Sequence, residues 1–227
     1  AFKLGSKVIS HEWYQSLDPN EIVITLRTPL GKMKERIENV KERQRLDTVV
    51  LDAGHGGKDP GSQGKYGTKE KDVVLDITKR IGRLLEKHTR IKVVYTRDED
   101  VWMPLINRTK IANNVDGKMF VSIHANASRG KRRDINGLET FYYSGWRGRL
   151  LAKKIQKQIL KVSPGSPDRG VRQGRFFVIK NTRMPAVLVE IGFLTGRLDA
   201  RRLEKSIHRE RIAYAITKGI LEYLSRI

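Results

Sequence analysis

From Asp47 onward, short apolar runs rich in β-branched residues alternate with segments whose apolar residues recur every three or four positions. A chain patterned this way can bury its strands only between layers of helices. The expected fold is therefore α/β, a mostly parallel central sheet with helices on both faces. Candidate strands are 48–51, 92–95, 119–123, 138–143, 176–178 and 186–189. The clearest helix is 70–87, with Val74, Ile77, Ile81 and Leu84 on one face and Thr68 as its expected N-cap. Further helices fit 106–113, 149–160 and 208–224. The first 45 residues differ in pattern. Residues 21–27 read as an edge strand, and 31–45 as a charged connector with Met33, Ile37 and Val40 at helical spacing. We expect 1–45 to be an appendage, the tail of an upstream domain, and 46–227 to be a single catalytic domain.

No stretch approaches the roughly 18 to 20 apolar residues a spanning helix needs. The first ten residues lack the charged and apolar regions of a secretion signal, and the chain begins at Ala, as a trimmed form would. With no cysteine there is no disulfide and no thiolate ligand, so a bound metal must use His, Asp or Glu. The formal net charge is +21, with basic clusters at 129–133, 146–149, 169–175 and 197–202. Such a charge implies contact with a polyanion or a heavily solvated cationic surface. Zinc-finger spacing, aromatic RNA-binding signatures and basic regions leading into heptads are all missing, which argues against a nucleic-acid partner. Anionic cell-wall polymers satisfy the same charge.

Three of the apolar strands end on residues able to bind metal or move protons: His55 after VVLDAG, His124 after FVSI and Glu190 after AVLV. In open α/β sheets the ligand crevice lies beyond the carboxyl ends of the strands, where these side chains can converge. Glu70, at the start of a helix, joins them where the macrodipole favours an ionised carboxylate. Two His and a carboxylate form a ligand set of catalytic zinc sites. Four candidates thus stand for three ligand places and one base. Taken singly, a His after a strand is more often a hydrogen-bonded structural residue, and Glu70 more often an ordinary helix-start carboxylate. Glu190, between Val189 and Ile191, resists that reading because an unpaired carboxylate in an apolar run is costly. His11, His88 and His208 read as structural.

The glycine-rich stretch 54–64 invites a phosphate-loop reading, but Gly64-Lys65 is followed by Tyr66, and Gly54-His55-Gly56 meets Asp59 where a glycine is needed. Its glycines fit a sharp turn that leaves His55 open.

The segments VVLDAGHGGKDPGSQG, KEKDVVLDI, VYTRDED, SIHANA, GLETFYY, DRGVRQGRFFVIKNTRMPAVLVEIGFLTG and IAYAITKGILEYL resemble the zinc-dependent N-acetylmuramoyl-L-alanine amidases of bacterial cell-wall turnover. The resemblance covers about residues 47 to 225. It implies one zinc per chain held by His55, Glu70 and His124, with Glu190 as the catalytic residue. It also implies peptidoglycan as substrate, cut between the lactyl group of N-acetylmuramic acid and the first L-alanine of the stem peptide. A monomer acting in the periplasm or outside the cell is the expectation. Ala53 stands where a proline is usual before Gly-His, and Gly196 where Asn usually follows Phe-Leu-Thr. The basic loop over 128–136 is short, so the site is expected to be open rather than covered by a blocking helix. A wall-binding protein that had lost the chemistry would lack a ligand or Glu190, and all four are present. A metal-dependent nuclease would use carboxylate-rich oxygen ligands around magnesium.

Overall fold

The computed structural model describes residues 47–64, 67–115, 117–128 and 134–226 in full, and residues 10–15 and 22–27 by their backbone. The chain divides into two compact units, Ala1–Arg43 and Gln44–Ile227. In the first, strand β1 (Ser10–Gln15) pairs antiparallel with β2 (Ile22–Arg27), Ser10 facing Arg27 and Gln15 facing Ile22. The strand expected over 21–27 therefore has a hairpin partner that the sequence reading left out. The charged connector expected over 31–45 lies outside the described residues.

The second unit is built on a six-stranded sheet of order β4-β3-β5-β8-β6-β7. The strands are β3 (Thr48–Ala53), β4 (Lys92–Tyr95), β5 (Met119–Asn126), β6 (Leu138–Tyr142), β7 (Asp168–Gln173) and β8 (Ala186–Phe193). All neighbours run parallel except β6 and β8. One helical layer holds α1 (Glu70–His88), α3 (Trp146–Val162) and α6 (Ser206–Leu224). Here α6 lies close against α3, since a Cβ on Gly219 would stand 2.7 Å from the Ile155 Cα. The other face is covered by α2 (Leu105–Asn114) and the short α4 (Phe177–Lys180), whose Ala112, Val178 and Ile179 pack on Val50, Phe120 and Leu188. A last short helix, α5 (Arg197–Leu203), follows β8.

Side chains alternate across a strand, so that second face can be followed upward through the sheet. Register pairs Val50 with Phe120 and Phe120 with Ala186, then Asp52 with Ser122 and Ser122 with Leu188, and finally His124 with Glu190 and Glu190 with Glu139. The face is thus apolar at its base and turns polar towards the carboxyl ends of β3, β5 and β8.

Two expectations fail. Residues 176–178 are not a strand: Val178 and Ile179 are buried in a helical turn while Phe176 and Phe177 stay half-exposed. Local bonds favour the turn, with Asn181 Nδ2 donating to the Phe177 carbonyl at 2.8 Å and Thr182 Oγ1 to that of Val178 at 2.6 Å. The sixth strand is instead β7, a polar edge strand (DRGVRQ) without the apolar alternation that would have announced it. Thr68 is likewise not the cap of α1. Lys69 precedes the helix without a side-chain cap, and the Glu70 and Lys71 amides donate to the carbonyls of Ser62 and Pro60 at 2.9 and 3.2 Å. The glycine-rich loop itself caps the helix.

That loop is fixed from below by a buried ion pair. Arg108 and Asp52 are 2% and 1% exposed and meet at 2.8 Å. Arg108 also donates to the carbonyls of Ala53 and His55 at 2.5 and 2.6 Å, and Arg97 to those of Ala53 and Gly54 at 2.9 and 2.7 Å. Asp52 accepts from Thr96 and Ser122, both at 2.6 Å. Burial works against the Asp52 carboxylate, but Arg108 and the two hydroxyls hold it below its ordinary range. Removing one partner of such a pair leaves a buried charge uncompensated. Arg108→Met is therefore expected to lower the unfolding free energy by about 3 to 5 kcal/mol. A urea titration showing a loss of less than about 1 kcal/mol, the cost of an ordinary surface pair, would refute this role.

Candidate active site and metal centre

His55, Glu70 and His124 come together at the carboxyl edge of the sheet, each with a ligand atom within 4.8 Å of the others. His55 follows β3 with φ of 59°, a conformation rare outside glycine, held by Arg108 on its carbonyl. Its Nδ1 faces Asp59 Oδ2 at 2.8 Å, which fixes the ring so that Nε2 points to Glu70 Oε1 at 3.2 Å. His124 leaves β5 and sets Nδ1 3.0 Å from the same Oε1. The two rings meet edge to face, centroids 5.0 Å apart. Glu70 is also held by the backbone, with Ala125 N donating to Oε1 at 3.0 Å and Ser62 N to Oε2 at 2.8 Å.

Two glycines make this approach possible. A Cβ on Gly54 would stand 2.3 Å from the His124 ring, and one on Gly61, whose φ is +64°, would stand 2.7 Å from both Glu70 Oε2 and His55 Cδ2. The glycine-rich stretch thus serves close packing around the histidines.

Electrostatics bind the three groups to one another. Burial alone would lower the His55 pKa, but hydrogen bonding and charge from Glu70 and Asp59 raise it to about 9. His124 is also raised: burial opposes its charge and Glu70 prevails. Glu70 pays for burial through the same bonds, which hold its carboxyl far below the ordinary range. Without a cation, the cluster is a carboxylate clamped between two imidazoles.

The donor set fits a zinc ion. Zinc bonds of about 2.0 to 2.1 Å in a tetrahedron put ligand atoms roughly 3.3 Å apart, and both imidazole nitrogens already stand 3.0 to 3.2 Å from Glu70 Oε1. The Asp59 contact supplies the carboxylate–histidine support typical of such ligands.

Glu190 stands beside this cluster on β8, in register with His124. It is 8% exposed, and its Oε2 has no hydrogen-bond partner among the described residues. Burial, reinforced by Glu70 and Glu139 against the pull of His124, raises its pKa to about 7. On its other side, across the β6–β8 pair, lies Glu139. Glu139 is satisfied, accepting from Asn126 at 3.0 Å and Arg172 at 3.1 Å, with Arg169 at 3.6 Å. Such an arrangement can hold a dication and keep a carboxyl group able to exchange a proton near neutrality.

Sequence reasoning named the four residues that converge and missed those that hold them. Asp59, four residues after His55, carried a local signal in its spacing. Arg97, Arg108 and Glu139 carried none, since their role depends on tertiary placement. His208 is buried and pushed down to about 4 by burial and by Arg202 and Arg211, which makes it a neutral core residue. The basic loop is described from Asp134 onward. Asp134 and Asn136 accept from the Arg197, Leu198 and Asp199 amides, and a Cβ on Gly196 would stand 2.2 Å from the Ile135 carbonyl. Glycine at 196 therefore accommodates the loop lying against it.

Residues 49–222 match the family model described as N-acetylmuramoyl-L-alanine amidase. The N-acetylmuramoyl-L-alanine amidase LytC of Bacillus subtilis is 37% identical over 180 residues, which make up 78% of this chain and 35% of that protein. The chain thus spans about a third of that relative's length. Among solved structures, the amidase AmiC2 of Nostoc punctiforme is 44% identical with a TM-score of 0.75, covering 79% of this chain and 98% of its own. The catalytic domain of CwlV from Paenibacillus polymyxa, also an amidase, is 37% identical with a TM-score of 0.75, covering 79% and 99%. On the family match, the sequence identity and the shared fold, this chain belongs to the N-acetylmuramoyl-L-alanine amidase family.

Proposed function

We propose that this chain hydrolyses the amide between N-acetylmuramic acid and the L-alanine of the peptidoglycan stem peptide, using one zinc ion held by His55, Glu70 and His124. The observation that carries the reading is Glu190, a buried carboxyl group whose Oε2 has no hydrogen-bond partner among the described residues, beside a compact His/Glu/His set. Two imidazoles and one carboxylate suit zinc better than magnesium, which favours oxygen ligands and retained waters. When bound, zinc supplies Lewis acidity for an amide carbonyl and for water.

The remaining chemistry belongs to the chain. Glu190 accepts the proton of the attacking water and returns it to the leaving amine nitrogen, so no covalent enzyme intermediate is needed. Asp59 holds the His55 ring in one tautomer, and the Ala125 and Ser62 amides keep Glu70 in place. The catalytic domain in this reading is 46–227, with 1–45 an appendage, a division supported by the separation of contacts near residue 43. Its substrate would place the enzyme in the periplasm or outside the cell, acting as a monomer. Among the described residues no helix is long and apolar enough to cross a membrane.

Glu190→Gln keeps shape but cannot take up a proton. The variant is expected to hold a full zinc complement and bind peptidoglycan while releasing stem peptide about 10² to 10⁴ times more slowly. Loss of zinc in this variant would make Glu190 a ligand and Glu70 the base, and full activity would end the proposal.

Zinc takes up neutral imidazole, whereas His55 without the ion remains protonated up to about pH 9. Zinc must then displace a proton at any lower pH. Affinity, measured against a competing chelator, is expected to rise about tenfold per pH unit for each proton displaced between pH 7 and 8. A flat profile would show that His55 has no proton to displace, and a His55→Ala protein with unchanged affinity would exclude His55 from the site.

The charge of +21 would draw the enzyme to an anionic wall by long-range attraction. Retention on isolated sacculi is expected to weaken as salt rises through the physiological range. Salt-independent retention would leave the charge without this role.

A further inference from the structure

The catalytic residues occupy one edge of the sheet, and an open cleft of about 470 Å³ lies at the other. It is bordered by Tyr143–Gly148, which follow β6, and by Met184–Ala186 at the start of β8. A neighbouring cavity of about 410 Å³ shares Arg147 and Arg183 with it and reaches Lys118 and Tyr223. Ala186 precedes Glu190 by four residues along β8, roughly 13 Å of extended chain. A ligand in the cleft therefore leaves the catalytic crevice free.

The walls carry one sign of charge. Arg147, Lys180 and Arg183 have no carboxylate partner among the described residues, and Lys118, 57% exposed, reaches Asp47 only at 4.0 Å. The 17-residue helix α3 begins here, after Gly145, with no side-chain cap and no acidic residue in its first turn. Its first amides have no acceptors within the helix and present the positive end of its dipole. Trp146, 65% exposed, has the Arg147 guanidinium 5.4 Å from its ring.

A second observation is independent of the helix end. Tyr223, from α6, is fully buried and lines the cavity beside Arg147, yet its hydroxyl has no hydrogen-bond partner among the described residues. A buried hydroxyl left unpaired costs free energy that a ligand oxygen would recover. Burial raises this phenol and the nearby Arg147 charge opposes the rise, so the hydroxyl stays a donor at neutral pH.

We propose that this cleft and the cavity beside it together bind the phosphate groups of a phosphodiester chain, with Arg147 and Arg183, which line both, pairing its oxygens and the Tyr223 hydroxyl on the cavity side donating a further hydrogen bond. Guanidinium forks, helix amides and a phenol are all donors, which suits an oxyanion. The open trough, flanked by Lys118 and Lys180, suits a chain rather than an isolated ion. The site works as a tether: it holds an anionic polymer on one edge of the sheet while the opposite edge carries out hydrolysis.

The test uses the full chain, with poly(glycerol phosphate), inorganic phosphate and a DNA duplex as probes. Binding is followed through the amide and Trp146 indole resonances. Poly(glycerol phosphate) should shift the resonances of 145–149 and 183–186 saturably, and inorganic phosphate should shift the same set at higher concentration. Arg147→Gln/Arg183→Gln should weaken polymer binding at least about tenfold, since two charge-assisted bonds are lost. Tyr223→Phe, which preserves the ring, should weaken it a few-fold. Lys79→Gln/Lys87→Gln on α1 removes the same charge elsewhere and should change little. Thermal unfolding verifies that each variant is folded, and hydrolysis of a soluble muramoyl peptide should be unchanged, which separates this site from the catalytic reading. Equal losses in the two double variants would reduce the effect to overall charge and overturn the site, as would unaltered binding in the arginine variant. Inorganic phosphate binding as tightly as the polymer would overturn the polymer ligand, and tighter binding of duplex DNA through the same residues would replace it with nucleic acid.

Discussion

The Asp52–Arg108 pair is the interaction on which the rest of the site depends. It lies at the transition between an apolar sheet face and a polar crevice, where a carboxylate and a guanidinium are both removed from water. Neither ion would persist there alone. Arg108, together with Arg97, supplies donors to the carbonyls of Ala53, Gly54 and His55, which the turn leaves outside the sheet ladder. Buried carbonyls need such partners. The pair therefore does more than satisfy charge: it sets the path of the loop that carries His55 and holds that residue in its uncommon conformation.

The same loop joins helix to sheet. Its carbonyls at Pro60 and Ser62 receive the first amides of α1, and its Ser62 amide returns a bond to the Glu70 side chain. Helix start, loop and carboxylate form a closed set of donors and acceptors. Glu70 is consequently oriented from its own backbone, from the loop and from β5 through Ala125. Such preorganisation limits what a cation must rearrange on binding, because both imidazole nitrogens already contact one carboxylate oxygen.

Much of this was legible in the sequence, for a definite reason. Apolar runs that end abruptly on His or Glu mark the carboxyl ends of strands, and the α/β architecture sends those ends to one place. His55, His124 and Glu190 were found that way, and Glu70 by its place at a helix start. The failures have equally physical causes. β7 is an exposed edge strand whose charged residues hide its period, and residues 176–178 have a strand-like composition that short-range bonds from Asn181 and Thr182 override. Arg108 looked like any helical arginine, because its burial depends on an aspartate 56 residues away.

Glu139 and Glu190 show how one sheet makes two carboxyl groups behave differently. They face each other across the β6–β8 pair, both shielded from solvent. Glu139 is held in place by Asn126, Arg169 and Arg172. Glu190 lacks any such partner on Oε2, and the negative charge of Glu139 adds to burial in favouring its protonated form. Burial and an unsatisfied oxygen raise the proton affinity of Glu190, and environments of this kind give neighbouring acids separate roles. The arginines of the polar edge strand thus bear on Glu190 only through Glu139. By fixing Glu139 next to Glu190, they keep in place one of the neighbours that, after burial, raise the Glu190 pKa to about 7.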